Sequence, residues 1–131
     1  MNEKPHDLTR VFVVEDSEML RRRIVDNVLA LGGFEVVGSA ESEAEAVRAI
    51  AELKPDIVIT DIRLKEGNGI AVVRHIRAHP YSPRPLIYVL TNYAYPEYKQ
   101  QCSLAGADLF FDKSSEYDRF LEAMRPVPAR A

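Results

Sequence analysis

Three carboxylates, one hydroxyl and one ammonium stand where they could act together: Glu15 and Asp16, Asp61, Thr91, and Lys113. Each lies at the end of a short apolar run of the kind that makes a buried strand. Val11-Phe12-Val13-Val14 leads to Glu15, Ile57-Val58-Ile59 to Asp61, Leu86-Ile87-Tyr88-Val89-Leu90 to Thr91, and Leu109-Phe110-Phe111 to Lys113. Carboxylates gathered in one place repel each other and raise one another's pKa. A hard divalent cation removes that penalty, and Mg2+ needs only one or two carboxylates, leaving room for water and a phosphate. A carboxylate can also act as nucleophile and become an aspartyl-phosphate. A lysine then offers the phosphoryl oxygens a compact positive charge, and a threonine hydroxyl offers a donor. Singly, each group has a plainer reading: an aspartate capping a turn, a solvated lysine, a threonine bonded to backbone. Their recurrence at four strand ends favours the chemistry.

The elements that must hold these groups alternate along the chain. Arg10 to Val14 reads as a strand, and a helix follows from Ser17 with Leu20, Ile24, Val28 and Leu31 inward and Arg21, Arg22 and Arg23 on a solvated face. Gly32-Gly33 ends it. Phe34 to Ala40 alternates moderately, which suits a strand at a sheet edge. Ser42 with Glu45 forms a capping box before a helix that turns Ala46, Val47, Ile50 and Leu53 inward. After the strand that ends at Asp61 comes a loop with Gly67-Asn68-Gly69. Ile70, Val73, Ile76 and Arg77 mark the next helix, closed by His79-Pro80. Leu86 to Leu90 is a fourth strand. Pro96 suits a first helical turn, with Ala94, Tyr98, Cys102 and Ala105 in register and Gly106 as terminator. Asp108 to Phe111 is a fifth strand, and a last helix begins near Ser115, burying Phe120, Leu121 and Met124 before Pro126 and Pro128. Five strands alternating with five helices specify a parallel sheet covered on both faces, with right-handed crossovers. Strand order is left open by periodicity. In open α/β sheets ligands bind at the carboxyl ends of the strands, so the reactive groups share one rim.

Composition narrows the function classes. With 131 residues the chain is one domain's worth, and 47% hydrophobic with 28% charged content is ordinary for a globular protein. A net charge of −3 gives no basic face for direct nucleic-acid binding. The lone Cys102 excludes an internal disulfide and suits a reducing, cytoplasmic setting. No apolar run approaches the roughly 20 residues of a membrane span. The expected layout is a flexible leader over 1–9, a single domain over 10–125 and a short tail over 126–131.

Val13-Val14-Glu15-Asp16-Ser17, Asp56 to Asp61, Val89-Leu90-Thr91-Asn92 and Gly106 to Lys113, in this order and spacing, resemble the receiver domain of two-component response regulators, of the stand-alone chemotaxis-regulator kind. The resemblance implies a flavodoxin-like doubly wound (βα)5 fold with strand order 2-1-3-4-5, an order for which this family is itself a standard illustration. It implies that Asp61 is the phosphoacceptor, receiving a phosphoryl group from a histidine kinase or histidine phosphotransfer protein. Asp16 matches the direct Mg2+ ligand, Glu15 the acid acting through water, and the backbone carbonyl of Arg63 the third protein ligand. Lys113 and Thr91 match the groups that serve the phosphoryl oxygens, and Thr91 with Phe110 the switch pair, although Phe111 could share that task. Output would come through a downstream protein partner of a monomer or weak dimer. The implied chemistry is autocatalytic phosphoryl acceptance and autodephosphorylation, with no external substrate.

Three positions depart from the family pattern. Lys113 is followed by Ser114 where the family usually has proline in a cis bond, and a cis bond before a non-proline residue costs roughly 3 kcal/mol. Lys65 replaces a frequent proline, so the loop after Asp61 is expected to be more mobile. Glu15 for aspartate is mild. An aspartate-nucleophile phosphatase would want a second acid at position 63, where Arg63 stands. A flavin carrier's phosphate would be repelled by Glu15-Asp16, and a degenerate scaffold receiver would have lost a key residue. Arg63 and Tyr93 are expected to flank the acyl-phosphate and limit water access. Tyr95 is expected on a partner face made by the fourth helix, fifth strand and fifth helix, because exposed aromatics favour interfaces.

Overall fold

The structure is a computed structural model that describes residues 8–127. Ten elements alternate along it: β1 (Thr9–Val14), α1 (Glu18–Leu31), β2 (Phe34–Ala40), α2 (Glu43–Leu53), β3 (Ile57–Thr60), α3 (Gly69–Ala78), β4 (Leu86–Thr91), α4 (Pro96–Ala105), β5 (Leu109–Asp112) and α5 (Tyr117–Ala123). The expected leader over 1–9 and tail over 126–131 fall mostly outside the described residues. Their inner ends are tied down instead. Thr9 is already in β1, and its hydroxyl accepts the Val127 N–H at 2.8 Å.

All strands pair in parallel, in the order β2-β1-β3-β4-β5. This is the flavodoxin-like order that the resemblance implies, with β2 at an edge as its alternation suggests. The three inner strands are apolar on both sides because helices cover both faces. One layer packs Phe12, Val14, Val58, Ile87 and Val89 against Ala46, Ile50, Val73, Ile76 and Cys102 of α2, α3 and α4. The other packs Val11, Val13, Ile57, Ile59 and Leu90 against Ile24, Val28, Phe120 and Met124 of α1 and the α5 end.

Helix starts follow their signals at three places. Ser17, Ser42 and Asn68 accept the N–H groups of Leu20, Glu45 and Ala71. Two details differ from the sequence reading. Leu31 is 45% exposed, because α1 ends at the next residue, Gly32, past the edge of the layer it covers. The last helix begins at Tyr117 with no side-chain cap, its N-cap residue Glu116 instead accepting the Asp112 N–H at 2.9 Å through Oε1.

Candidate functional site

Register puts the first two acids side by side. Val14 pairs with Thr60 across β1 and β3, so Glu15 and Asp61 are the next residues out of adjacent strands. Their own N–H groups stay in the sheet: Asp61 donates to the Val14 carbonyl and Glu15 to the Ala40 carbonyl, each at 3.0 Å. Both residues are buried. Lys113 comes from the far side, just after β5, where its N–H donates to the Thr91 carbonyl at 2.8 Å. Its Nζ donates to Glu15 Oε1 at 2.8 Å and to Asp61 Oδ2 at 2.9 Å, with 8% of the lysine side chain exposed. One buried ammonium is thus shared by carboxylates from two strands.

Burial pushes the Glu15 carboxyl above its ordinary 4.5, and the hydrogen bond and charge of Lys113 pull it back only in part. A bond from the Ser17 N–H to Oε2 at 3.1 Å also helps the charged form. For Lys113, burial acts to lower the pKa, but the Asp61 charge and the bonds to both carboxylates overrule it and hold it above 10.5. The second Asp61 oxygen, Oδ1, accepts the Ile62 N–H at 2.6 Å. Behind it, Thr60 Oγ1 donates to the Asp61 carbonyl at 2.8 Å. Gly69 must be glycine here, since a Cβ would lie 1.8 Å from that same carbonyl oxygen.

The other candidates are arranged less tightly. The sequence reading gathers three acids, whereas the structure joins only two of them to Lys113. Asp16 is exposed, and among the described residues its side chain makes no ion pair or hydrogen bond. No three His, Cys, Asp or Glu side chains among the described residues converge as a ready-made metal cage. The donor set nonetheless suits a hard cation that keeps most of its water: all oxygens, with carboxylates outnumbering the ammonium. Thr91 is fully buried, and its Oγ1 accepts the Tyr93 N–H at 3.0 Å. Strand alternation separates the two phenylalanines. Phe110 packs on the α2–α3–α4 layer, and Phe111 on the opposite layer with its ring 6.0 Å from that of Phe120.

Arg63 is exposed, with its guanidinium 4.5 Å above the Tyr93 ring, so the residues two past Asp61 and two past Thr91 meet over the rim. Tyr95 is 56% exposed, with its ring 6.0 Å from that of Tyr98. The Lys113–Ser114 bond is trans, the one cis bond among the described residues being Ser82–Pro83. The turn there is held by Asp112, whose carboxylate accepts both the N–H and the hydroxyl of Ser114. Those bonds lower its pKa.

The loop after Asp61 is fastened, against the expectation of mobility. Lys65 N–H donates to the Glu41 carbonyl at 3.0 Å, Glu43 N–H to the Glu66 carbonyl at 2.9 Å, and Asn68 N–H to Glu43 Oε1 at 3.2 Å. Arg21 also departs from its expected solvated face. Its side chain is 17% exposed, Nη1 donates to the Glu15 carbonyl at 2.8 Å, and the same nitrogen lies 3.4 Å from Glu41 Oε2. The signal was its distance from Asp16, which places it one turn into α1, level with the rim. Arg22 is exposed, and Arg23 lies over the Tyr117 ring at 4.8 Å.

Comparison with known proteins agrees with this geometry. The family model of the response regulator receiver domain matches residues 11–125. The chemotaxis protein CheY of Thermotoga maritima is 34% identical over 118 residues, covering 90% of this chain and 96% of that protein. The DNA-binding transcriptional activator DevR/DosR of Mycobacterium tuberculosis is 35% identical over 122 residues, and there the match spans 93% of this chain but only 55% of the relative. Among solved structures, the signal receiver domain of the NarL response regulator from Mycobacterium tuberculosis superposes with a TM-score of 0.80 at 26% identity. It covers 89% of this chain and 93% of that one.

Proposed function

The chain belongs to the response regulator receiver domain family of two-component signal transduction, and we propose that it works as a phosphoacceptor switch with Asp61 as the site. The observation that carries this is the Lys113 ammonium held 2.8 Å from Glu15 and 2.9 Å from Asp61 at the carboxyl rim of the sheet. In this reading an Asp61 carboxylate oxygen attacks the phosphorus of a phosphohistidine on a histidine kinase or phosphotransfer protein. The new P–O bond forms as the P–N bond breaks, and the imidazole leaves with the electron pair and takes a proton from solvent. Lys113, already on Asp61 Oδ2, follows the added charge onto a phosphoryl oxygen. Thr91 accepts the Tyr93 N–H, so its own proton remains available for another. Asp16, Asp61, the Arg63 carbonyl and, through water, Glu15 would hold Mg2+, which neutralises charge on the phosphoryl oxygens.

Movement of the Thr91 hydroxyl would open space for Phe110, half-buried beside β4, and pass the change to the face of α4, β5 and α5. Tyr95 sits there as an exposed aromatic anchor for a downstream protein partner. Replacing Tyr95 with alanine should leave phosphoryl uptake intact while weakening that partner's binding. The chain would act on its own phosphoryl group only. The phosphatase reading finds arginine where it needs an acid, with that arginine drawn onto Tyr93.

The test is phosphorylation by acetyl phosphate with and without Mg2+, read by intact mass. Wild type should gain phosphate only with Mg2+, and Asp61→Asn should gain none. A wild type that stays unmodified, or a variant modified to the same extent, overturns the proposal.

A further inference from the structure

We propose that Arg21 is a positioning residue for the Mg2+ site: it holds the peptide that aims Asp16 and ties it to the loop carrying Arg63. This rests on the reading of Asp16 and the Arg63 carbonyl as metal ligands. Asp16 has no side-chain hydrogen bond or ion pair of its own among the described residues, so the position of its backbone is what other residues can fix. That backbone is gripped at the preceding carbonyl. Arg21 Nη1 donates to the Glu15 carbonyl at 2.8 Å, and this carbonyl belongs to the peptide joining Glu15 to Asp16. The Glu15 N–H is fixed from the other side by Ala40 at 3.0 Å. The peptide on each side of Glu15 is therefore tied to a neighbouring element.

The guanidinium is anchored in turn. Glu41 Oε2 lies 3.4 Å from it, and Glu41 is the residue whose carbonyl accepts the Lys65 N–H at 3.0 Å. Lys65 is two residues past Arg63. One short path thus runs from the Asp16 peptide through Arg21 and Glu41 to the loop after Asp61, joining the two loops that would contribute ligands. Glu41 is itself steadied, its N–H donating to Glu45 Oε1 at 3.1 Å. Arginine suits the post because Nη1 alone carries two N–H groups, one for the carbonyl and one facing the carboxylate.

The sign of one measurement separates positioning from charge. Arg21 is a cation near acids that would bind a cation. If it acted only through charge, its removal would tighten Mg2+ binding. Positioning predicts the opposite: Arg21→Gln should bind Mg2+ roughly tenfold more weakly, the low end for partners that orient metal ligands. Binding is read by calorimetric titration of Mg2+ into the unphosphorylated protein, so phosphorylation does not enter. Glu41→Gln should weaken binding in the same direction, and the double variant should lose less than the two single losses combined. Amide exchange at Asp16 and Ser17 should rise in Arg21→Gln. Unchanged or tighter Mg2+ binding in Arg21→Gln overturns the inference, as does strict additivity with Glu41→Gln; should Arg21→Gln fold poorly, unchanged Mg2+ binding in Glu41→Gln overturns it. If wild type binds Mg2+ normally, such a result leaves the phosphoacceptor reading standing. A wild type that binds no Mg2+ overturns both.

Discussion

The backbone N–H of Lys65 donates to the carbonyl of Glu41 at 3.0 Å, a bond that proline at position 65 could not make. Lysine at this position therefore supplies a restraint that a proline ring would have to replace. The chain stiffness that a ring would bring is replaced by a bond to the β2–α2 connection, and Glu43 adds two more.

Restoring the ring tests which restraint matters. Lys65→Pro should lower unfolding stability by about 1 kcal/mol, since the lost bond outweighs the gain from a stiffer unfolded chain. Urea denaturation would show a lower midpoint with unchanged slope. A midpoint at or above wild type would mean that the bond contributes nothing.

Removing the ammonium leaves two buried carboxylates facing each other. Lys113→Met should cost on the order of 3 kcal/mol at pH 8, the range for breaking one side of a buried pair. In wild type the lysine pKa is raised on folding. Its contribution is thus full below 10.5 and is lost as pH rises through the folded value. In the variant the same sign appears in a lower pH window. Glu15, already raised above 4.5, loses the group that pulled it down, so the folded state binds the extra proton and stability rises as pH falls from 8 towards 5. Denaturation midpoints across that range check this, and a flat profile would contradict it.

Gly69 opens α3 against the backbone of Asp61. Gly69→Ala puts a methyl group 1.8 Å from the Asp61 carbonyl oxygen unless the loop shifts. The expected cost is about 2 kcal/mol, as for overpacking elsewhere in a dense interior. Acetyl phosphate should also label the variant more slowly, because the shift moves Asp61 relative to Lys113. Wild-type stability and labelling together would show that the loop yields freely.

Arg63 and Tyr93 stack across the mouth of the site at 4.5 Å. Replacing both with alanine should shorten the phosphoryl lifetime roughly two- to five-fold, the kinetic equivalent of an exposed cation–π contact. The decay of phosphorylated protein followed by mass checks it. An unchanged lifetime would remove these residues from any role in excluding water.

Much of this protein is legible in short windows of residues. Ile57-Val58-Ile59 reads as a strand covered on both faces, and Asp61, two residues past it, then emerges at the rim where such sheets bind ligands. Glycines at 32, 67 and 106 mark turns, and each has positive φ. Local period and punctuation thus determined the alternating fold and five of the groups on its reactive edge. Tertiary structure decided which of those groups touch. Lys113 reaches Glu15 across 98 positions of sequence and Asp61 across 52, and no local period encodes such pairings. The same holds for Arg21, one of three adjacent arginines with equal claim to solvent. Only the meeting of α1 with the β1 and β2 ends gives it a carbonyl to hold. Contacts between residues distant in sequence follow from where whole elements pack, and that is set by the combined burial of both layers.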